Sequence, residues 1–446
     1  MNLFETTVNF FNNIMWNHNL LVVILIVCGL IFTIKTRGVQ FRLFKHMCKL
    51  LFEKSTAGKD EVSSFQAFCI STASRVGVGN LAGVVAAVSY GGPGSVFWMW
   101  VVALLSSATA YIESTIAIIY RDKDPKGGYR GGAAYFIKNG LNLPILSVLF
   151  VIFALICWAG VFQIISNSVT ESFHTAFDIN KQITSIILVV LSGFILFGNR
   201  NKIVRVLDKL VPVMAGLYLL VVFFIIIKNI NLLGATIVDI FEHAFGVKQF
   251  LGGTFGSVIM FGVKRGLFSN EAGSGSAPCA AAAAEVEHPS KQGLIQALGV
   301  LVDTIVICSA TAFVILLSKN NIPAGLTDMP LLQEAFRSQV GDWGVIFTAL
   351  ILFLFSFSTI LGISFYARPN LYFLSNKEWP QEAFKLFTLV MLYLGGVGHN
   401  SLVWSLADLG LGLMTIVNLI GVFPLVPKAI ESLNDYENKF INKKGL

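Results

Sequence analysis

Ser71-Thr72-Ala73-Ser74-Arg75-Val76-Gly77-Val78-Gly79-Asn80 sits in the middle of an otherwise apolar run and decides how the chain is read. An ordinary membrane span carries no arginine, no paired glycines and no cluster of hydroxyls at mid-depth, because unpaired polar groups there are costly. The flanks, Ala67 to Ile70 and Leu81 to Val88, are apolar. The pattern therefore predicts a helix that is broken halfway through a bilayer. The composition of the whole chain agrees. Its 446 residues are 55% apolar and 13% charged, with 40 Gly and 38 Phe. Mean hydropathy is +0.73. Soluble chains carry about 25% charged residues. A disordered chain, a secreted disulfide scaffold and a soluble enzyme are excluded, and a multi-spanning membrane protein remains.

Spans of roughly 20 residues, set by about 30 Å of hydrocarbon at about 1.5 Å per residue, fit the chain at eleven places. An extra N-terminal helix is expected near 18–36. Ten core spans follow near 61–88, 94–120, 143–172, 182–198, 204–228, 251–285, 291–318, 342–374, 382–397 and 401–425. Helices are the expected spanning form because each satisfies its own backbone. With alternating spans, Lys35 to Lys59, Arg121 to Lys138, Arg200 to Lys209 and Lys428 to Lys444 fall on one side. The other side keeps only Lys181, Lys228, Lys248, Lys319 and Arg337. Excess Lys and Arg mark cytoplasmic loops, which puts the N-terminus outside and the C-terminus in the cytoplasm of a cell membrane. The net charge of +7 is assigned to these loops and not to a nucleic-acid partner. No basic n-region precedes the first apolar run and no small-residue cleavage site follows it, so it reads as a retained span. The six cysteines form no CxxC pair and read as reduced packing residues.

The ten core spans divide into two halves of five, 61–228 and 229–425, after an N-terminal helix and linker (1–60) and before a tail (426–446). Each half begins with an unusual span. The second starts with Gly252-Gly253-Thr254-Phe255-Gly256 and continues to Gly262-Val263-Lys264-Arg265-Gly266. Five is odd, so the halves have inverted topologies. Gly-interrupted spans at matching places in two inverted halves point to a transporter binding site. Glycine also serves simple close packing of helices.

A broken helix exposes N–H groups at one end, suited to a carboxylate, and carbonyls at the other, suited to a cation. Gly77, Val78, Gly79 and Asn80 are the candidate substrate contacts. The carbonyls of Ala73 and Val76 are candidates for a small hard cation, which needs further oxygen ligands. Ser356, Ser358 and Thr359 offer hydroxyls from the eighth core span, although such groups also bond back to the preceding helical turn. Gln163 and Asn167 offer a polar contact or glue between helices. Phe261 joins the substrate set from the sixth span, as does Thr359 from the eighth. Arg75 is expected to act as a gate with Glu113, Asp303 or Glu271 as partner, in preference to direct substrate contact. Lys264 and Arg265 read as snorkelling from the cytoplasmic half of the sixth span. GVGNLAG and GSGSAP lack the strand and the Gly-Lys-Ser/Thr ending of nucleotide loops. No HExxH, GxSxG or paired metal-ligand pattern points to an enzyme.

Several runs together resemble the alanine or glycine:cation symporters, also called sodium:alanine symporters. They are Gly77 to Gly83, Gly91 to Trp100, Gly262 to Gly273, Gly275 to Pro278, Lys291 to Leu294 and Phe357 to Gly362. The resemblance implies an all-α membrane protein with the leucine-transporter-like fold, a five-plus-five inverted repeat with one extra N-terminal helix. It implies import of a small neutral amino acid, alanine or glycine, with co-transported sodium. Coupling to protons, or a larger substrate such as glutamine, is the alternative. By the same resemblance, Val78 and Gly79 hold the carboxylate, Ala73, Val76, Ser358 and Thr359 hold sodium, and Asn80 faces the ligand. Val78 and Arg75 stand where many members have Thr, and Gln163 stands near a Gln expected in the third core span. A monomer in the lipid bilayer suffices for such transport.

Overall fold

The computed structural model describes residues 3–53, 58, 61–198, 200–245, 255–323, 325–398 and 401–442. Helices stand at the expected places, and the strands described are one antiparallel pair, Asp122–Lys123 with Tyr129–Arg130. Among the described residues, six helices are long and apolar enough to cross a membrane, or up to eight if each bent pair is one span. The remaining expected spans are helices of shorter or more polar make-up, such as the 16-residue Lys181–Leu196.

One group of helices packs around Gly94–Ile119: Leu20–Lys35, Phe255–Asn270 and Pro289–Leu301. A second group packs around Pro144–Phe177: Trp343–Leu374, Trp379–Val397 and Ser401–Val422. Contacts in the second group rely on small residues. A Cβ at Gly160 would stand 2.6 Å from the backbone N of Ala407, and one at Gly410 would stand 2.5 Å from Cys157 Cα. Without a hydrophobic force between helices in lipid, such close approach is what generates dispersion contact. The outward faces are apolar, with Leu220, Phe223 and Phe224 of Arg200–Lys228 more than half exposed. That is the face a helix presents to acyl chains.

The first core helix is broken as its sequence predicts. Ser64–Arg75 and the helical stretch Gly79–Gly91 meet at 50°. A second bent pair joins Glu5–Asn17 to Leu20–Lys35 at 42°. The sixth core helix is also broken, though at a different place from the one expected. Phe255–Asn270 ends at a turn, and Pro278–Ala283 resumes beyond it. Gly262 and Gly266 lie within the helix and face Gly94–Ile119. A Cβ on Gly262 would stand 2.6 Å from Trp98 Cβ, so this glycine serves packing. Gly252, Gly253 and Thr254 lie outside the described residues.

Candidate functional site: two broken helices around a central cavity

The Ser64–Arg75 helix begins with a capping box, in which the Ser63 hydroxyl accepts from Gln66 N and the Gln66 side chain accepts from Ser63 N. It ends where Val76 turns to φ −75°, ψ 83°. Gly77 N–H donates to Asn80 Oδ1 at 2.8 Å, so Asn80 caps the resuming helix. Val78 and Gly79 stand at its N-terminal end, where backbone N–H groups lack helical acceptors. Across from the break, the Thr359 and Ser358 hydroxyls lie 3.1 and 3.3 Å from Ala73 O. Each also donates to Phe355 O, at 2.9 and 2.8 Å, so back-bonding and cross-helix contact coexist. A Cβ on Gly77 would collide with Thr359 Oγ1. The break thus brings Ala73, Gly77, Ser358 and Thr359 together, with Val76 fully buried at the turn.

The second break runs from Glu271 to Ala277. Gly273 and Gly275 adopt φ of +91° and +83°, which a side chain would strain. Glu271 holds φ +55° without being glycine. Its Oε1 accepts from Ser74 Oγ at 2.7 Å, which ties one break to the other. Glu113, from Gly94–Ile119, clasps this turn. Its Oε1 accepts from Gly273 N at 3.1 Å and its Oε2 from Asn418 Nδ2 at 2.8 Å, while Asn418 Nδ2 also reaches Gly273 O at 2.8 Å. The expected Arg75–Glu113 pair is therefore not formed, because both Glu113 oxygens are engaged. Nor is Asp303 the partner. Its carboxylate accepts from Asn80 Nδ2 at 2.7 Å, Ser269 Oγ at 2.8 Å and Thr304 Oγ1 at 2.9 Å. Arg75 instead donates from Nη1 to Gln296 O at 3.2 Å.

The family model for sodium:alanine symporters matches residues 1–445. The chain belongs to the sodium:alanine symporter family. A probable sodium/glutamine symporter of Bacillus subtilis, GlnT, is 42% identical over 97% of this chain and 91% of its own length. The amino-acid carrier protein AlsT of the same organism is 41% identical over 99% and 94%. A Na+-coupled sialic acid symporter shares the fold, with a TM-score of 0.53 at 14% identity over 87% of each chain. The protein is thus a multi-pass amino-acid symporter and not an enzyme.

In this symporter the two breaks border a small cavity of about 30 Å³. Ser74, Arg75, Val78, Gly79, Glu271 and Thr359 line it, together with Cys157, Trp158, Val161 and Phe268. Of the expected substrate residues, Val78, Gly79 and Thr359 are in this lining; Gly77 and Asn80 are at the break but outside it, with the Asn80 side chain on Gly77 N and Asp303, and Gln163 and Phe261 stand elsewhere. Gln163 is not in that lining. Its amide contacts Ala159 O and Met391 Sδ, both at 3.4 Å, and its backbone packs on Gly395. Phe261 stacks on Tyr90 at 5.8 Å, nearly two helical turns before Phe268. Trp158 and Phe268 were not singled out in the sequence, since an aromatic in an apolar helix carries no local mark of the face it presents.

Lys264 and Arg265 do not snorkel. Lys264 Nζ lies 2.6 Å and Arg265 Nη1 3.4 Å from the Asp408 carboxylate, all with side chains at most 12% exposed. Both precede the break, in the half of the helix away from the Val62–Ala284 end. Trp16 Nε1 donates to Asp408 O at 3.2 Å, and its ring lies 5.3 Å from Lys264 Nζ. Arg265 lies over the Trp404 ring at 4.2 Å, and Trp404 packs on Phe268 at 5.3 Å. At the other end, Arg121 donates to Ala282 O at 3.1 Å, Arg368 pairs with Asp124 at 3.2 Å, and Lys126 pairs with Glu378 at 2.6 Å. Lys126 holds the exposed Glu378 carboxyl below its ordinary range.

Proposed function

We propose that the chain imports a small neutral amino acid together with sodium across the cell membrane by alternating access. The observation that carries the reading is Ala73 O at 3.1 and 3.3 Å from two hydroxyls, beside a helix break that borders the central cavity. Sodium replaces the hydroxyl protons as the group facing Ala73 O. Ser358 and Thr359 then act as ligands, and the Val76 carbonyl turns toward the ion. The substrate carboxylate sits on the N–H groups of Val78 and Gly79, next to that positive charge. A cavity this small favours the smallest amino acids, alanine and glycine, as substrates. The ten core spans form the five-plus-five repeat, with the N-terminus outside and the basic loops in the cytoplasm. Ion and substrate assist each other reciprocally because both stabilise the same arrangement of the break.

The test is uptake of labelled alanine into proteoliposomes under an inward sodium gradient at fixed pH, against uptake under a pH step alone. Accumulation driven by sodium and competed by glycine supports the reading. Accumulation driven only by the pH step assigns the coupling to protons and leaves the hydroxyl pair without an ion. No uptake of any neutral amino acid by folded protein overturns the reading.

A further inference from the structure

Beside the tail helix Val426–Tyr436 runs a groove of about 560 Å³, the size of a ligand site. Pro424 and Pro427 turn the end of Ser401–Val422 into that helix. The tail helix buries Ala429, Leu433 and Tyr436 and turns Ile430, Glu431 and Asn434 to the groove. The facing wall is the end of Leu20–Lys35, with Ile31 and Phe32. Phe423 lies beside Phe32, ring to ring at 5.6 Å. The flanks are exposed apolar side chains of the same two spans, Ile34 and Ile420 among them. In a bilayer, hydrocarbon and not water meets such faces.

One end of the groove is polar. Lys35 closes the first helix, is exposed, and has no hydrogen bond or ion pair among the described residues. Asn434, on the facing wall, likewise keeps its side-chain amide free among the described residues. The Glu431 carboxylate at the rim is held by Lys428 at 3.1 Å. Beyond Lys35 the chain turns at Arg37 and Gly38, with φ of +56° and +65°, and continues as the helix Phe44–Leu51. That helix buries Met47 and Leu50 and exposes Phe44, Lys45 and Lys49, with Phe52 exposed at its end. Exposed aromatics beside lysines mark a helix lying among lipid headgroups, which sets Lys35 at headgroup depth.

We propose that this groove holds one anionic phospholipid, with an acyl chain against Ile31, Phe423 and Ile430 and the phosphate at Lys35. An acyl chain is what the bilayer offers a recess at this depth. A lysine with no carboxylate partner favours a negative headgroup over a zwitterionic one. The Asn434 amide donates to a phosphate oxygen. The lipid joins the N-terminal helix to the tail. The tail in turn is tied to the start of Pro289–Leu301, through Ser432 to Ser290 at 2.8 Å and Asp435 to His288 at 3.0 Å.

The experiment is native mass spectrometry of the full chain in detergent, titrated with dioleoylphosphatidylglycerol or, separately, dioleoylphosphatidylcholine. The first phosphatidylglycerol is expected to half-saturate the chain at a concentration about fivefold or more below that of phosphatidylcholine. Lys35→Gln raises that concentration about fivefold, the effect of one basic residue on an anionic headgroup. Ile430→Trp fills the groove and removes the tight first adduct. Lys49→Gln, outside the groove, leaves the half-saturating concentration within about twofold. Equal binding of the two lipids, or equal effects of Lys35→Gln and Lys49→Gln, shows diffuse surface attraction and overturns the site. Undiminished binding to Ile430→Trp, or displacement of the lipid by an equal concentration of glycerol phosphate, overturns it as well. Where Ile430→Trp loses the helical circular dichroism of the parent, Ile31→Trp takes its place with the same expected loss.

Discussion

At the residue scale, a buried polar atom counts most when its partner is removed, because the group left behind pays its full desolvation. Thr359 contacts both Ala73 O and Phe355 O, and helical back-bonding survives in neighbours that keep their own hydroxyls. Thr359→Ala is therefore expected to raise the sodium concentration for half-maximal alanine uptake by roughly tenfold, the loss of a ligand worth about 1.5 kcal/mol. Its melting temperature in detergent should stay close to that of the unmodified chain. An unchanged sodium response would remove Thr359 from the ion site. Asn418 is the contrasting case. It joins Glu113 to Gly273 far from the hydroxyl pair, and its loss strands a buried carboxylate oxygen and a backbone carbonyl. Asn418→Ala is expected to destabilise the protein by about 3 kcal/mol, seen as a fall in melting temperature with or without sodium.

At the element scale, the first broken helix was legible because its sequence violates the pattern of its own span. Arg75, two glycines and four hydroxyl or amide residues have no place in an uninterrupted apolar helix. The second break falls at Gly273 and Gly275, beyond the expected Gly262 and Gly266, while Gly252 and Gly253 lie outside the described residues. Gly262 and Gly273 are identical as letters, and only their neighbours separate them. One faces Trp98 inside a helix, and the other takes φ +91° under the Glu113 clasp. The partner of Arg75 and the outward turn of Gln163 depend in the same way on helices distant in sequence. The conformational difference gives a prediction. Gly275→Ala strains the backbone at φ +83° and drives its Cβ within 2.7 Å of Asn418 Oδ1, so transport should fall at least tenfold while Gly216→Ala, at an open site, has no effect. Initial uptake rates at equal protein amounts check it. The tail helix Val426–Tyr436 supplies a pH prediction. Lys439, then His288, hold the Asp435 carboxyl below its ordinary value of 3.8. A carboxyl lowered on folding contributes above that value and loses its contribution as pH falls through the lower folded one. Protease resistance of the tail should therefore be constant from about pH 7 to 5 and decline only below about pH 4. A loss centred near pH 6 would exclude Asp435 as the cause.

At the scale of the whole molecule, alternating access requires a closure on each side of the cavity, and each must break while the other holds. Charged clusters stand on both sides of the cavity. Lys264, Arg265 and Asp408 join the second broken helix to Ser401–Val422 on one side, with Trp16 of the N-terminal segment packed on them. Arg121, Asp124 and Lys126 join the strand pair to Pro278–Ala283 and to the end of Trp343–Leu374 on the other. Breaking the buried triad leaves an uncompensated charge and costs about 3–5 kcal/mol, whereas an exposed pair such as Lys126–Glu378 contributes about 0–1 kcal/mol. Asp408→Asn should shift the population toward the state open on that side. Cys157 reports it directly, because it lines the cavity and is 4% exposed in the closed form. With the other cysteines replaced by alanine, a membrane-impermeant thiol reagent added outside should modify Cys157 at least tenfold faster in Asp408→Asn. Apolar replacement of the whole triad, Asp408→Leu with Lys264→Met and Arg265→Met, removes every charge of that interface and should return the rate toward that of the parent. Lys126→Gln, which removes a weak exposed pair on the opposite side, should not raise the rate. Equal modification in all four backgrounds would show that the triad holds the fold and does not gate the cavity.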